Sequence, residues 1–260
     1  MKTNKIIAIA SILLTIMTLY VNYLATTLPL NGKDTRMLSD MYRSFITPAP
    51  GTFSIWGIIY IGLAAYLVWQ AKVLISNKSD IQNAVIQRIG FFYCVTCVFN
   101  ASWLVAWHYE KLLLSVSIML SFLFTLTSIN TQLFELKLPK EMTYKWIVKT
   151  TFGLYLGWIS IATIVNITAY LISQQSGGLG LTEPIWAMIM IMIGAIVAVL
   201  SIQKHKNIGY GLAVIWALFG IAAARKSIVN PDENIVLLCY VLAAVVGIMV
   251  ILNFKKFVKS

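Results

Sequence analysis

The most constraining feature of this sequence is an apolar run without a single charge, which begins just after two prolines. It reads T-P-A-P-G-T-F-S-I-W-G-I-I-Y-I-G-L-A-A-Y-L-V-W-Q from Thr47 to Gln70. A helix rises ~1.5 Å per residue, so about twenty such residues cross the ~30 Å hydrocarbon core of a bilayer. The run therefore predicts a transmembrane helix.

The whole chain has the composition of a membrane protein. Of its 260 residues, 59% are hydrophobic and 11% are charged, whereas a soluble domain is about 25% charged. We predict an all-α, polytopic membrane protein, a helical bundle with eight transmembrane helices. The predicted segments are 6–25, 52–74, 89–107, 112–133, 146–172, 184–203, 208–224 and 234–254.

The basic residues indicate an orientation. With eight helices, fourteen of the 20 Lys and Arg residues can be assigned to one side of the membrane, in its loops, termini and helix ends. Cytoplasmic loops carry the excess of basic residues, so both termini are predicted to be cytoplasmic. The net charge of +11 then reflects topology, and no nucleic-acid partner is expected.

Three of the predicted helices carry polar and aromatic residues on one face. Residues three, four and seven apart in a helix share a face. Such a stripe lines a cavity for a flat ligand, or it packs one helix against another, and the spacing alone favours packing. The stripes are Phe53, Trp56, Tyr60 and Leu67; Asn100, Trp103 and Trp107; and Tyr155, Trp158, Ala162 and Asn166.

These stripes carry a resemblance to a known family. The sequence has prolines before Trp56-x3-Tyr60, then Asn100-x2-Trp103, and finally Tyr155-x2-Trp158-x3-Ala162-x3-Asn166. In these motifs it resembles the translocator proteins, also called tryptophan-rich sensory proteins (TspO/MBR). The resemblance implies a five-helix TspO-like core at 1–172, a linker at 173–183 and an added three-helix extension at 184–260, in a bacterial inner membrane.

The resemblance also implies a binding site. Family members have an aromatic pocket near the outer end of the bundle, which takes porphyrins and other flat hydrophobic ligands. Porphyrin or haem is then the expected ligand, and no cofactor is required. The residues expected to line or shape the pocket are Trp56, Tyr60, Asn100, Trp103, Tyr155, Trp158, Ala162 and Asn166.

The sequence departs from the family pattern at three places. Leu154 replaces a proline, the fourth helix has no acidic residue, and no basic residue follows Tyr170 as the sterol motif requires. Sterol binding is therefore the property least expected here. For Asn100 and Asn166 we expect hydrogen bonds between helices, because a buried amide needs a partner.

The long loop at 26–51 is predicted to lie over the outer end of the bundle. Asn31-Gly32 predicts a turn, and apolar residues at helical spacing predict a short amphipathic helix, which acts as a lid or simply lies in the interface. Basic residues of this loop are expected to meet ligand carboxylates. The apolar residues are Met37, Leu38, Met41 and Phe45, and the basic ones are Lys33, Arg36 and Arg43.

The sequence shows no pattern of catalytic or metal-binding residues. Cys94-x-x-Cys97 lies inside an apolar helix and is interpreted as structural, while His108 and Glu110 are expected in a solvated outer loop. No nucleophile–base pair is recognisable. We therefore predict that the protein is not an enzyme, although pigment breakdown at a Trp-lined pocket stays open.

The function predicted from the sequence is binding of a flat hydrophobic ligand, with a sensory, sequestering or translocating role. One alternative is a small-molecule carrier, although no helix centre has the charged residue typical of ion-coupled transport. Another is a membrane scaffold subunit. Besides lipid, a homodimer is considered, since Gly194/Ala198 and Ala243/Gly247 are small-residue pairs, although ordinary packing explains such pairs better.

Overall fold

The computed structural model describes residues 2–27, 30–33, 35–76, 79–136, 142–227 and 232–259, and every regular element in these ranges is a helix. Among these residues, eight helices are long and apolar enough to cross a membrane. The predicted all-α, polytopic membrane fold is confirmed. The α-helices are α1 (Lys2–Thr27), α2 (Thr35–Met41), α3 (Ile55–Gln70), α4 (Lys72–Ile75), α5 (Asp80–Val85), α6 (Phe91–His108), α7 (Leu112–Glu135), α8 (Thr150–Ser173), α9 (Glu183–His205), α10 (Ile208–Lys226) and α11 (Glu233–Lys259).

Short irregular helical turns extend three of the spanning helices. A 3-10 turn at Pro50–Ser54 leads into α3, and proline is well placed there because the first helical N–H groups have no helical partner. π-helical turns at Ile86–Gly90 and Tyr144–Lys149 precede α6 and α8. These turns lengthen the spans beyond the predicted segments but leave their number unchanged.

Two connections between spanning helices are very short. Between α6 and α7 the chain reverses within Tyr109, Glu110 and Lys111, and Glu110 has a φ of 54°. The connection is a tight helical hairpin. Between α9 and α10, Lys206 is left-handed with a φ of 50°, and Asn207 Oδ1 accepts a hydrogen bond from the N–H of Gly209 at 3.0 Å, as an N-cap does.

The chain forms two compact units. Unit 1 comprises Met1–Thr35 and Gly57–Phe152, and unit 2 comprises Arg36–Trp56 and Gly153–Ser260. Both α3 and α8 change unit near one end. The division predicted from the resemblance, with boundaries at 172 and 184, follows the order of the chain and stays a prediction.

Unit 1 has an aromatic centre. The Tyr66 ring lies 5.2 Å from the rings of both Tyr93 and Phe152, each in an edge-to-face arrangement. Next to it, Gly62 packs on Thr151, whose Oγ1 would lie 2.5 Å from a Cβ at residue 62. A small residue thus lets α3 and α8 approach closely within this unit.

Polar side chains join α1 to α6 within unit 1. Thr15 Oγ1 lies 2.6 Å from the hydroxyl of Tyr93, and Thr18 Oγ1 donates to the carbonyl of Cys97 at 3.0 Å. Ser11 Oγ lies 3.5 Å from the thiol of Cys94. Such contacts hold membrane helices together, because unpaired polar groups are costly in an apolar surrounding.

In unit 2, α10 contacts both α9 and α11. Its buried face carries small residues, including the fully buried Ala213 and Ala217. At Gly211 a Cβ would lie 2.5 Å from Val250 Cγ2 and 2.7 Å from Ile202 Cδ1. Small residues of α10 therefore allow α9 and α11 to pack closely against it.

The predicted lid helix is shorter than its apolar spacing indicates. α2 ends at Met41, so Phe45 lies outside it. Leu38 is fully buried, whereas Met37 and Met41 are 54% and 51% exposed. Leu38 therefore faces the protein, whereas Met37 and Met41 lie at the surface.

The expectation of a solvated His108 is wrong. His108 is the last residue of α6, is 0% exposed, and has its Nδ1 2.8 Å from the carbonyl oxygen of Leu104. Its own carbonyl accepts a hydrogen bond from the Asn31 side chain at 3.2 Å. The helix extends one residue beyond the predicted segment, and this residue, His108, is packed in the interior of unit 1.

Candidate aromatic site

Three of the predicted site residues meet in unit 2. The Trp56 ring lies 5.9 Å from Tyr155 and 6.3 Å from Trp158, at steep interplanar angles of 77° and 86°. Phe53 adds a fourth ring, 5.8 Å from Trp158. We call these four residues the aromatic cluster. The predicted stripes at the start of α3 and in α8 thus face each other.

The members of the aromatic cluster differ in exposure. Tyr155 and Trp158 are each 2% exposed, whereas Phe53 and Trp56 are half-buried. Each edge-to-face contact joins a buried ring to a half-buried one, and this packing is favourable for aromatic rings. The half-buried pair leaves ring surface on which a flat apolar ligand can stack.

One polar atom of the aromatic cluster has no partner. The indole Nε1 of Trp158 is buried and forms no hydrogen bond with any part of the chain that the structure describes. Leaving a buried donor unpaired costs ~1–3 kcal/mol. An acceptor atom on the rim of a bound ligand would remove this cost.

The loop that carries Phe53 and Trp56 is attached to α10. The indole Nε1 of Trp216 donates to the carbonyl of Thr52 at 2.8 Å, and the N–H of Ala49 donates to the carbonyl of Gly220 at 2.9 Å. Gly220 also packs directly on the Thr52 side chain, with no room for a Cβ. Residues 49–52 therefore lie on α10 in a fixed register.

α8, which carries Tyr155 and Trp158, also packs on α10. Gly157 lies so close that a Cβ there would be 2.6 Å from the carbonyl oxygen of Tyr210. The Tyr210 hydroxyl donates to Ser160 Oγ at 2.8 Å. The two segments that supply the aromatic cluster, the loop before α3 and α8, both pack on α10.

The remaining two predicted residues of α8 continue its stripe. Ala162 is half-buried and Asn166 is 3% exposed. The predicted hydrogen bond of Asn166 to another helix stays a prediction.

The other predicted site residues lie in unit 1. Asn100 is fully buried, and its Oδ1 accepts a hydrogen bond from Asn22 Nδ2 at 2.9 Å. The Tyr60 hydroxyl lies 3.5 Å from the same oxygen. Asn100 therefore joins α6 to α1, which confirms the predicted role in helix packing. Its contact with a ligand, and that of Tyr60, stays a prediction.

Trp103 has a neighbour of its own kind in unit 1. Its ring stacks on Trp107 with 6.3 Å between centroids and 22° between planes. The Trp103 Nε1 is buried and, like that of Trp158, has no hydrogen-bond partner among the described residues. A ligand contact of Trp103 stays a prediction, with an unused donor in its favour.

The basic residues expected to meet ligand carboxylates have different surroundings. Lys33 forms an ion pair with Glu110 within unit 1. Arg43 is exposed, and the side chain of Arg36 lies outside the described residues.

An arginine that was not among the predicted residues is buried in unit 2. Arg225, in the last turn of α10, is 4% exposed and donates to the carbonyl of Ser44 at 3.3 Å.

Sequence reasoning missed Arg225 because it assigned that residue to an outer loop. The signal was present, since Arg225 follows three alanines without a loop residue between them. It also missed Gln70 of unit 1, which ends the charge-free run and is 0% exposed. Neither amide atom of Gln70, nor the hydroxyl of Tyr66 one turn earlier, has a hydrogen-bond partner in the described ranges.

Comparison with known proteins gives one family. A family model described as TSPO-like protein matches residues 8–252, a range that includes the aromatic cluster, α9 and α10. The chain matches no curated protein and no solved structure.

Proposed function

This chain belongs to the TSPO-like protein family, and from that premise we propose that it binds a flat hydrophobic ligand of the porphyrin or haem class. Trp56 and Trp158 are the principal contacts. The ligand is sensed, sequestered or moved by a protein of the bacterial inner membrane with both termini in the cytoplasm. A homodimer is the assembly we would test first.

The observation that carries this proposal is the unpaired indole N–H of Trp158 inside an aromatic cluster. If helix packing were the only role of the cluster, a phenylalanine would fill the position without an orphaned donor. A tetrapyrrole offers a large ring for stacking and oxygen atoms at its rim. Both features match what Trp56 and Trp158 present.

The test is a titration of the detergent-solubilised protein with protoporphyrin IX and with haem, followed by Trp quenching and Soret shifts. The variant carries Trp56→Leu and Trp158→Leu together. Its control is Trp146→Leu, because Trp146 is 39% exposed and belongs to unit 1, whereas the aromatic cluster belongs to unit 2. We expect saturable binding in the native protein and the control, lost in the folded double variant. Equal binding by all three would contradict the proposal.

A second candidate function, a carrier for small polar molecules, is favoured by Tyr66 and Gln70. Their hydroxyl and amide atoms are buried without partners in the described residues of unit 1. A neutral solute that both donates and accepts hydrogen bonds would satisfy them. Osmotic swelling of proteoliposomes in urea or glycerol tests this function. Faster swelling than in protein-free vesicles, abolished by Gln70→Met, is the expected result, and unchanged swelling would contradict it.

A further inference from the structure

Arg225 is a buried cation with unused hydrogen-bonding capacity. It is 4% exposed, its Nη2 donates to the carbonyl of Ser44 at 3.3 Å, and its Nε is buried without a partner among the described residues. The one ion pair found within those residues joins Lys33 to Glu110. A buried charge without a counter-charge is strongly unfavourable, so Arg225 would gain from pairing with an anion.

The neighbours of Arg225 compensate its charge only in part. The Phe45 ring lies beneath the guanidinium, with Cζ 5.0 Å from the ring centroid, and this cation–π contact is a modest attraction. Arg43 acts on it as a like charge, and Asp232 acts as an opposite charge from beyond ion-pair distance. No carboxylate of the described chain therefore occupies the position that a bidentate partner would take.

Arg225 is connected to the aromatic cluster by the loop that lies on α10. Ser44 contacts Arg225, and Thr52 contacts Trp216. Trp216 and Arg225 are nine positions apart in α10, which is ~13.5 Å along the helix axis. Phe53, which follows Thr52, already belongs to the cluster. One loop therefore contacts Arg225 through Ser44 and contributes Phe53 to the aromatic cluster.

We propose that Arg225 binds a carboxylate of the ligand while Trp56 and Trp158 hold the ring, an inference that rests on the proposed function. A guanidinium donates two parallel hydrogen bonds to a carboxylate, and the pair is stronger where water is largely excluded. The protein then selects amphipathic anions over neutral molecules with the same ring. This selectivity comes from α10, a helix that the sequence places in the extension.

The competing role for Arg225 is to hold the loop in place. Its contacts with Ser44 and Phe45 serve that role whether or not a ligand is present. A loop latch affects every ligand of the aromatic cluster equally, whereas a carboxylate-binding arginine affects only those with a carboxylate. The two roles are therefore separated by two ligands that share the same ring and differ in whether their arms carry a negative charge.

The experiment compares protoporphyrin IX with its dimethyl ester, which keeps the ring and removes both negative charges. Affinities are measured for the native protein and for Arg225→Gln, Arg225→Lys and Lys226→Gln. Lys226 is the matched control, since it is the exposed neighbour of Arg225 and lies over the Tyr240 ring instead, at 5.0 Å. Circular dichroism and thermal unfolding establish that each variant is folded.

We expect the native protein to prefer the acid. Arg225→Gln should weaken binding of the acid about tenfold or more, the size expected for lost hydrogen bonds to a charged group, and leave the ester within about twofold. The affinity of Arg225→Lys for the acid should lie between those of the native protein and Arg225→Gln, because lysine keeps the positive charge but cannot donate two parallel hydrogen bonds. Lys226→Gln should behave as the native protein.

Each contrary outcome has its own meaning. Equal losses for acid and ester in Arg225→Gln, or equal affinities of the native protein for both, would overturn the role of Arg225 and leave the aromatic cluster as the binding site. Binding of neither ligand by the native protein would overturn the proposed function together with this inference. If Arg225→Gln does not fold, Arg225→Lys gives the same comparison with a smaller expected change.

Discussion

Gly157 of α8 lies against the backbone carbonyl of Tyr210 in α10, so that a Cβ at residue 157 would be 2.6 Å from the oxygen and 2.9 Å from Ala213 Cβ. Neither neighbour is the end of a flexible side chain. Two backbones approach here, and the approach aligns Tyr155 and Trp158 with the loop held by the same helix.

Gly157→Ala is expected to force α8 and α10 apart. Overpacking of this kind costs ~1–3 kcal/mol of unfolding free energy, so the thermal midpoint in detergent should fall. Gly57→Ala in α3 is the control, because nothing lies within 4 Å of a Cβ at that position. Alanine there should raise helix stability by ~1 kcal/mol. A Gly157→Ala variant as stable as the native protein would show that the two helices separate freely.

Trp158→Phe should have opposite effects on stability and on binding. It keeps a ring in the aromatic cluster but removes the orphaned indole N–H, which relieves a cost of ~1–3 kcal/mol in the free protein. The thermal midpoint should therefore stay level or rise, while porphyrin affinity falls severalfold. A midpoint that drops together with unchanged affinity would indicate that Trp158 acts only in packing.

Trp216→Phe should loosen the loop before α3. The change removes the donor to the Thr52 carbonyl, a bond of 2.8 Å, and such a bond contributes ~0.5–1.5 kcal/mol. Amide hydrogen exchange at residues 44–54 should become faster, as measured by mass spectrometry. Trp146→Phe, in a different part of the chain, should leave that exchange unchanged. The loop is held by other contacts if both variants exchange alike.

Gln70→Met should stabilise the protein if its amide has no partner in solution. Methionine has the same length and no polar atom to leave unpaired, so the free energy of unfolding should rise by ~1–3 kcal/mol. Gln87→Met, at an exposed position, should change it by less than ~0.5 kcal/mol. A lower thermal midpoint for Gln70→Met would instead indicate a bound molecule that the amide holds.

Much of the fold follows from local pattern. A charge-free run of sufficient length has to be a membrane helix, because lipid offers no partners for an open backbone. The eight segments, the hairpin after Trp107 and the helical faces of Trp56, Tyr155 and Trp158 are all predictable on this basis. Spacing of three or four residues determines which side chains share a face wherever the helix is packed.

The surroundings of single residues are less predictable. His108 and Arg225 each follow an apolar segment directly, so the sequence places them in loops, whereas the structure continues the helix and buries both. Helix ends depend on packing as well as on composition. The final turn of α10 is retained because Phe45 and Ser44 cover it, and these residues come from about 180 positions earlier in the chain.

The sequence by itself determined the membrane class, the number of spanning helices and the family, since these depend on hydrophobic length and on residue types at fixed spacing. Only the tertiary structure decided what holds the aromatic cluster. The contacts of Gly157 with Tyr210 and of Gly220 with Thr52 join segments far apart in the chain, and no local pattern specifies which small residue meets which backbone. The segments that α10 contacts therefore follow from the tertiary structure and not from the sequence pattern.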